Sequence, residues 1–250
     1  SISLLQKELL LKFPHNKYTL IYYTDPFFIS SKPLRGLNKW KLPKIIACGD
    51  LHHGFNLLNP INTLKNYLEE ESFNSAILTF NPILIKKVRE NIKIPVNSFP
   101  PSFFKYPKEK RTLSPIFKLI HIGSIGKYHQ ERKQVIDELI IRKNIPIISL
   151  ETENPEIAAT IYSKHALALN IPLNNDLNHR FFEIIAAGIP QIVLGKKEIL
   201  GDSQELLNRK DIFWASTVNE IEKVTKELFA NPEALKSIEV LPPNYLSITE

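Results

Sequence analysis

The chain has 250 residues, 43% of them hydrophobic, and a formal net charge of +6 at pH 7. These values fit an ordinary globular protein of one large or two small domains, and no apolar run approaches the roughly 18 residues that span a bilayer. The mild positive charge suits an anionic small-molecule substrate or an anionic membrane surface, whereas no long basic run or known motif supports nucleic acid as a partner.

Redox and targeting signals point to a reducing compartment. No secretory signal is visible, and the single Cys48 cannot form an internal disulfide, so we expect a cytoplasmic protein. The chain contains no methionine, and we therefore expect that Ser1 is not the native translation start.

The first half of the chain alternates short apolar runs with amphipathic stretches, which is typical of βα units and a parallel sheet. The periodicity predicts helices over residues 3–13, 60–71 and 82–91 and strands over residues 19–23, 44–49, 75–80 and 95–99. Residues 30–40 contain Pro33 and Gly36 and are expected to form a loop with a partial helix.

A domain boundary is predicted within residues 100–115, which contain four prolines and a dense basic stretch at residues 105–111. Clustered prolines punctuate regular structure, so we interpret the basic stretch as a solvated linker. The predicted domains are residues 1–115 and 116–250.

The second half has a clearer alternation of strands and helices. Strands are predicted over residues 118–122, 146–150, 166–171, 191–194 and 212–215, and helices over residues 130–142, 156–163, 178–187, 203–209 and 217–229. The five strands are expected to form one parallel sheet. The first of these helices is predicted to bury Val135, Ile136, Leu139 and Ile140. Thr217 and Glu220 are expected to form a capping box at the start of the last helix.

A glycine turn follows the first of these strands. Gly123, Ser124 and Gly126 lie between a strand and a helix, an arrangement that lets backbone amides approach a diphosphate. The pattern alone is weak, since glycines also simply make turns. Of the two basic residues that follow, Arg132 is the better phosphate candidate and Lys127 is interpreted as a solvated loop residue.

Polar residues also cluster at the start of the helix predicted over residues 178–187. Asn170 ends the preceding strand, and Asn178, Arg180 and Glu183 begin the helix. A helix start offers free N–H groups and a positive dipole end, so an arginine there favours phosphate and a glutamate can accept bonds from sugar hydroxyls. The alternative is a solvated ion pair between residues three apart. Apolar neighbours on most of the helix surface favour a buried helix, whose charges need partners.

The sequence from Phe181 to Val193 resembles the donor-site helix of glycosyltransferases with two Rossmann-like domains, the GT-B fold, and within them the family 4-like, spore-maturation type. The resemblance implies an α/β fold with two parallel sheets facing a cleft and a reduced amino-terminal domain. It implies that Glu183 binds the donor's ribose and that Arg180, with Arg132, binds phosphate. Gly123, Ser124, Gly126, Asn170 and Asn178 complete the implied donor site. Where the family has a second glutamate, this chain has Asn175, followed by Asp176.

Three polar clusters follow predicted strands of the first half, where ligands of parallel sheets bind. The clusters are Thr24 with Asp25, Asp50 with His52 and His53, and Asn81. Asp50 and His53 are the candidate catalytic residues, because either could take the proton of an acceptor hydroxyl. A structural role and metal ligation are the alternatives. The resemblance implies that no catalytic metal or cofactor is needed.

We therefore expect an enzyme that transfers a sugar from a nucleotide-diphosphate sugar, its co-substrate, to an acceptor hydroxyl on a saccharide, a lipid-linked glycan or a protein. Peripheral membrane association is compatible with the charge, and nucleic acid is not expected as a partner. Three alternatives stay open: a sugar-nucleotide epimerase, a DNA-modifying glycosyltransferase, and a non-catalytic nucleotide-sugar-binding module.

Overall fold

The computed structural model describes residues 2–14, 18–24, 26–48, 60–78, 82–98, 106–127, 129–152, 154–173, 177–200, 204–241 and 248–249. The chain divides into two compact units, Ser1–Pro100 and Pro101–Glu250. The sequence predicts domains that meet at residue 115, within the proline-rich segment 100–115. The structure divides at the start of that segment, so residues 101–115 belong to the second unit. Within the described residues, no helix is both long and apolar enough to cross a membrane.

The first unit contains a four-stranded parallel sheet in the order β1-β2-β3-β4. Its strands are β1 (Leu20–Thr24), β2 (Lys44–Cys48), β3 (Ser75–Leu78) and β4 (Val96–Ser98). Its helices are α1 (Ile2–Lys12), α2 (Pro26–Ser31), α3 (Pro60–Glu70) and α4 (Pro82–Asn91), and a 3₁₀ turn covers Leu37–Lys39. The helix α2 was not predicted from the sequence; it begins at Pro26, and proline favours the first turn of a helix.

Alternate residues of these strands form the core of the first unit. Ile46, Cys48 and Leu78 are fully buried and pack in one cluster with residues of α3 and α4. In this sheet, each strand lies beside the next one in the chain. Right-handed connections between such strands place all the connecting helices on one face of the sheet. On β1, Ile21 and Tyr23 are accordingly exposed, because their side chains point to the opposite face.

The second unit contains a five-stranded parallel sheet and a two-stranded one. Its strands are β5 (Tyr106–Pro107), β6 (Ile116–Ile122), β7 (Ile147–Leu150), β8 (His165–Asn170), β9 (Gln191–Leu194), β10 (Ile212–Ala215) and β11 (Ile248–Thr249). Its helices are α5 (Gln130–Ile141), α6 (Pro155–Ser163), α7 (His179–Ala186), α8 (Gln204–Leu207), α9 (Val218–Ala230) and α10 (Pro232–Ser237), and a 3₁₀ turn covers Lys197–Leu200. The prediction of an α/β fold with two parallel sheets is thus confirmed.

The order of the five-stranded sheet, β10-β9-β8-β6-β7, reverses direction at β6. The chain moves from β6 outward to β7 and then returns to the other side of β6 for β8. Core clusters lie on both faces of this sheet, one with α5, α9 and α10 and the other with α6 and α7. Where strand order reverses, the connecting segments diverge and leave a crevice beyond the carboxyl ends of the two strands.

Local signals set most helix ends of the second unit. The side chains of Asn154, Asn178 and Thr217 cap α6, α7 and α9, and Gly188 ends α7 with a φ of 74°, which favours glycine. Two details of the prediction were wrong. Ile140 is exposed, and Glu220 accepts from the Ser216 amide at 2.6 Å rather than from that of Thr217, so the box closes one residue early.

The predicted solvated linker is only partly solvated. Lys108 and Lys110 are exposed, but the Arg111 guanidinium donates to the carbonyls of Ala166 at 3.1 Å and Leu235 at 3.2 Å. Burial lowers the pKa of Arg111. Arg111 therefore fastens this segment to β8 and to α10, both of which are far from it in the sequence.

We expect Arg111→Lys to destabilise the second unit by about 1–3 kcal/mol, because one ammonium nitrogen cannot replace both terminal guanidinium nitrogens. Nη2 donates to the two carbonyls named above, and Nη1 donates to the Lys236 carbonyl at 3.3 Å, so the lysine leaves at least one acceptor unsatisfied. Urea unfolding measures this change in a Trp40→Phe background, where Trp214 is the single tryptophan. The exposed neighbour variant Lys110→Ala is the control. Equal midpoints for Arg111→Lys and Lys110→Ala would show that Arg111 fastens nothing.

Candidate functional site

The glycine turn lies directly after β6, at the reversal of strand order. The Gly123 amide donates to the Leu150 carbonyl at 2.9 Å, and the Gly126 amide reaches the Ser124 hydroxyl at 3.4 Å. A Cβ on Gly123 would lie 3.3 Å from His121 Nε2 and 3.5 Å from an Arg132 nitrogen. A side chain at residue 123 would therefore require the His121 ring to shift by a few tenths of an ångström, so the site favours glycine there.

Arg132 bridges the crevice from the first turn of α5. Its Nη1 donates to the Ser124 carbonyl at 2.8 Å, and its Nε donates to the Ile171 carbonyl at 3.2 Å. Ser124 follows β6 and Ile171 follows β8, so one side chain fastens the loops on both sides of the reversal. Burial, followed by the nearby Arg180 charge, lowers the pKa of Arg132. The sequence predicts that Arg132 binds phosphate. In the structure, Arg132 holds together the two loops between which such a phosphate would bind.

A series of carboxamides fixes the start of α7. Asn178 accepts from the Phe181 amide at 3.1 Å and donates to Asn170 at 3.0 Å. Asn170 in turn approaches Gln191 at 3.5 Å, and Gln191 donates to the Phe181 carbonyl at 2.9 Å. Asn170 and Gln191 are buried, so they orient the helix from below. Gln191 was not among the predicted site residues. A polar side chain within an otherwise apolar strand is the feature of the sequence that could have identified it.

Arg180 and Glu183 form an ion pair at the front of α7. A second guanidinium nitrogen of Arg180 donates to the Thr152 carbonyl, after β7, at 2.8 Å. The exposed fractions of the two side chains are 24% and 14%, so the pair is neither solvated on the surface nor sealed in the core. Both side chains therefore stay partly accessible, the guanidinium to an anionic group and the carboxylate to a hydroxyl donor.

His121 lies beneath the glycine turn and was missed by the sequence analysis. It is 2% exposed, and its Nδ1 is 3.0 Å from the Ser149 hydroxyl. Burial, then the charges of Arg132 and Arg180, lowers the pKa of His121 to about 3. The imidazole is therefore neutral at physiological pH, and the positive charge of the site comes from the two arginines.

A tyrosine outside the five-stranded sheet also supports α7. The Tyr106 hydroxyl is 3.2 Å from His179 Nδ1, and the Tyr106 ring lies 6.2 Å from that of Phe182. Burial, then the charge of Glu183, raises the pKa of Tyr106. The first residue of the helix is thus held by the short strand β5, which pairs with β11 near the end of the chain.

Of the candidate acceptor-side residues, the structure describes Thr24, which is buried at the end of β1. Asp25, Asp50, His52, His53 and Asn81 lie outside the described residues, as do Asn175 and Asp176 at the family's second-glutamate position. Among the residues that the structure does describe, no three His, Cys, Asp or Glu side chains are grouped so as to hold a metal ion.

Residues 127–239 match the model of a family described as "Glycosyl transferase-like". The match confirms the prediction of a glycosyltransferase-like domain in the second half of the chain. It contains Arg132, Asn170, Asn178, Arg180 and Glu183, whereas the Gly123–Gly126 turn lies just before it. Comparison with curated proteins finds no significant match.

Several solved structures resemble the chain at low identity. TarM has a TM-score of 0.47 at 12% identity over 85% of this chain and 52% of its own. A glycosylation-associated protein (Gap123) complex from Streptococcus agalactiae has a TM-score of 0.47 at 14% identity over 94% and 53%. The GtfA/B complex has a TM-score of 0.43 at 10% identity over 85% and 54%. The chain thus spans about half the length of these proteins.

The pKa of His121 predicts a pH dependence of stability. Because the unfolded histidine titrates near 6.5 and the folded one near 3, the unfolded state alone gains this proton as pH falls below 6.5. The contribution of this histidine to the free energy of unfolding is therefore fully present above pH 6.5. It decreases as the pH falls, by about 2 kcal/mol at pH 5.

We expect His121→Gln, which does not titrate, to remove this loss. Urea unfolding of both proteins from pH 7.5 to pH 5 compares the slopes, and the remaining histidines act as an internal control because they are present in both. If the stability of the variant falls with pH as steeply as that of the wild type, the imidazole is not held neutral.

Proposed function

We propose that the chain is a glycosyltransferase that takes a sugar from a nucleotide-diphosphate sugar and transfers it to an acceptor hydroxyl. The observation that carries the proposal is the arrangement of Arg180 and Glu183 at the start of α7. Arg180 also donates to the carbonyl of Thr152, which follows β7, so the pair lies at the carboxyl edge of the sheet, where open parallel sheets bind ligands. The family match over residues 127–239 supports the same reaction class.

The charge of the site suits a diphosphate. Arg132 and Arg180 are close enough for the charge of Arg180 to lower the pKa of Arg132, and two like charges in a half-buried site attract a polyanion. The neutral imidazole of His121 adds no third charge. Guanidinium groups bind phosphate with two parallel hydrogen bonds, and the start of α7 contributes its dipole.

Glu183 supplies the acceptor that a ribose requires. In the structure one carboxylate oxygen is paired with Arg180, and the residue lies one turn into the helix. The 2′- and 3′-hydroxyls of a nucleoside would donate to this carboxylate while the diphosphate occupies Arg180. The resemblance to family 4-like, spore-maturation-type glycosyltransferases assigns the same roles, and this narrower family belongs to the proposal.

The chemistry proposed for the donor site is electrostatic. As the bond between the sugar and the diphosphate breaks, negative charge develops on the leaving nucleoside diphosphate, and fixed cations stabilise it without reorganisation. Arg180 and the helix start supply that charge here, so we propose that no metal or cofactor is required. Asp50 and His53 stay the candidates for accepting the acceptor's proton.

The remaining parts of the proposal concern the protein's surroundings. The acceptor is a saccharide, a lipid-linked glycan or a protein, and the enzyme acts in the cytoplasm, with peripheral association to an anionic membrane surface. The positive net charge of the chain supports that association.

Calorimetric titration with UDP, GDP, ADP and dTDP tests the donor site. We expect one of them to bind, and both Arg180→Ala and Glu183→Ala to weaken it at least about tenfold, because each removes hydrogen bonds that involve a charged group. Glu233→Ala is the matched control, since Glu233 forms an ion pair of the same three-residue spacing with Lys236 on α10. Unchanged affinity in both site variants would remove the assignment.

Incubation with the corresponding nucleotide sugars, with and without acceptors, tests the reaction. Release of the nucleoside diphosphate, abolished in Arg180→Ala, is the expected result. An epimerised nucleotide sugar without that release would identify an epimerase, and binding without either product would identify a non-catalytic module.

A further inference from the structure

Tyr162 on α6 carries a buried hydroxyl that the site described so far does not use. The residue is fully buried, and its ring packs in a cluster with Ile122 of β6 and Ile184 of α7. Within the part of the chain that the structure describes, its hydroxyl makes no hydrogen bond of normal distance and angle. Buried polar groups in folded proteins are nearly always hydrogen-bonded, so an exception requires an explanation.

The hydroxyl lies within the electrostatic field of the candidate donor site. Burial raises the pKa of Tyr162; Arg180 opposes that rise, and Glu183 adds to it. The Ile122 amide also lies near, but it does not make a hydrogen bond of normal geometry. Tyr162 shares its core cluster with Ile184, the residue that follows Glu183 on α7, which brings the hydroxyl near the ion pair. Because the pKa is raised, the hydroxyl keeps its proton and can donate.

In the structure, the Glu183 carboxylate pairs with Arg180 and not with the Tyr162 hydroxyl. Arg180 is occupied by Glu183 and by the Thr152 carbonyl. If the Arg180 guanidinium turns to a diphosphate, the carboxylate of Glu183 loses its charged partner in a largely buried position. A buried carboxylate requires a replacement donor.

We propose that Tyr162 is a positioning residue that donates its hydroxyl proton to the Glu183 carboxylate when a nucleoside diphosphate occupies the site. The bond would release Arg180 for the diphosphate and would hold the carboxylate toward the ribose. This inference rests on the proposed function, since it requires a ligand that uses both Arg180 and Glu183. It explains why an unsatisfied hydroxyl persists in a fully packed core.

Tyr162→Phe tests the inference, because it keeps the ring and removes only the hydroxyl. We expect a melting temperature equal to or above that of the wild type without ligand, since no hydrogen bond is lost. We expect the Kd for the nucleoside diphosphate that binds the wild type, out of UDP, GDP, ADP and dTDP, to rise about five- to tenfold.

Tyr67→Phe is the matched control. The Tyr67 hydroxyl donates to the Leu34 carbonyl at 2.8 Å in the first unit, so its removal lowers the melting temperature and leaves the Kd unchanged. The readout specific to positioning is the double variant. In a Glu183→Ala background, which leaves the hydroxyl no acceptor at residue 183, Tyr162→Phe changes the Kd by less than about twofold if it acts through the carboxylate.

Each other outcome contradicts the inference. An unchanged Kd in Tyr162→Phe, or an equal rise in the Glu183→Ala background, overturns it while the proposed function stands. A lower melting temperature or a failure to fold shows that the hydroxyl already has a partner. If the wild type binds none of the four nucleoside diphosphates, the proposed function fails and this inference fails with it.

Discussion

Arg132 spans the point at which the five-stranded sheet reverses direction, and the candidate site depends on that bridge. Its two carbonyl partners follow β6 and β8, the strands between which the crevice opens. Without such a bridge, the two loops would have to order themselves around each incoming ligand. Fixing them before binding reduces the entropy that binding must overcome.

The charges around this bridge are balanced so that an anion is favoured. Arg132 and Arg180 lie close enough for their charges to interact. Glu183 pairs with Arg180, and the charge of Glu151 also acts on Arg132, while the histidine below is kept neutral by its burial. The carboxamides of Asn170, Asn178 and Gln191 hold α7 from beneath, so their buried polar atoms are satisfied within the protein. The site therefore separates into a supporting layer that is hydrogen-bonded internally and two side chains, Arg180 and Glu183, that can exchange partners.

The sequence predicts those parts of the structure that depend on local patterns. The limits of α7 follow from Asn178, which caps it, and from Gly188, whose positive φ ends it. The strands of both parallel sheets follow from apolar runs of the right length. The Arg180 and Glu183 positions could be singled out because a charged pair stands within an otherwise apolar helix.

The parts that could not be predicted depend on distant residues meeting in space. The strands β5 and β11 are each two residues long and pair from opposite ends of the second unit, so neither has a pattern of its own. His121 and Tyr162 appear in the sequence as ordinary members of a strand and a helix. Their importance comes only from the arginines that α5 and α7 bring next to them. Arg111 was misread for the same reason, because its carbonyl partners lie on β8 and near α10.

The central claim is that the crevice beside β6 binds a nucleoside diphosphate through the start of α7. Amide chemical shifts of the isotope-labelled protein, recorded during titration with the four nucleoside diphosphates, test it most directly. The account predicts that saturable shifts concentrate at residues 123–127 and 178–183, with smaller ones at Thr152. Shifts confined to other parts of the chain, with these residues unmoved, would contradict it.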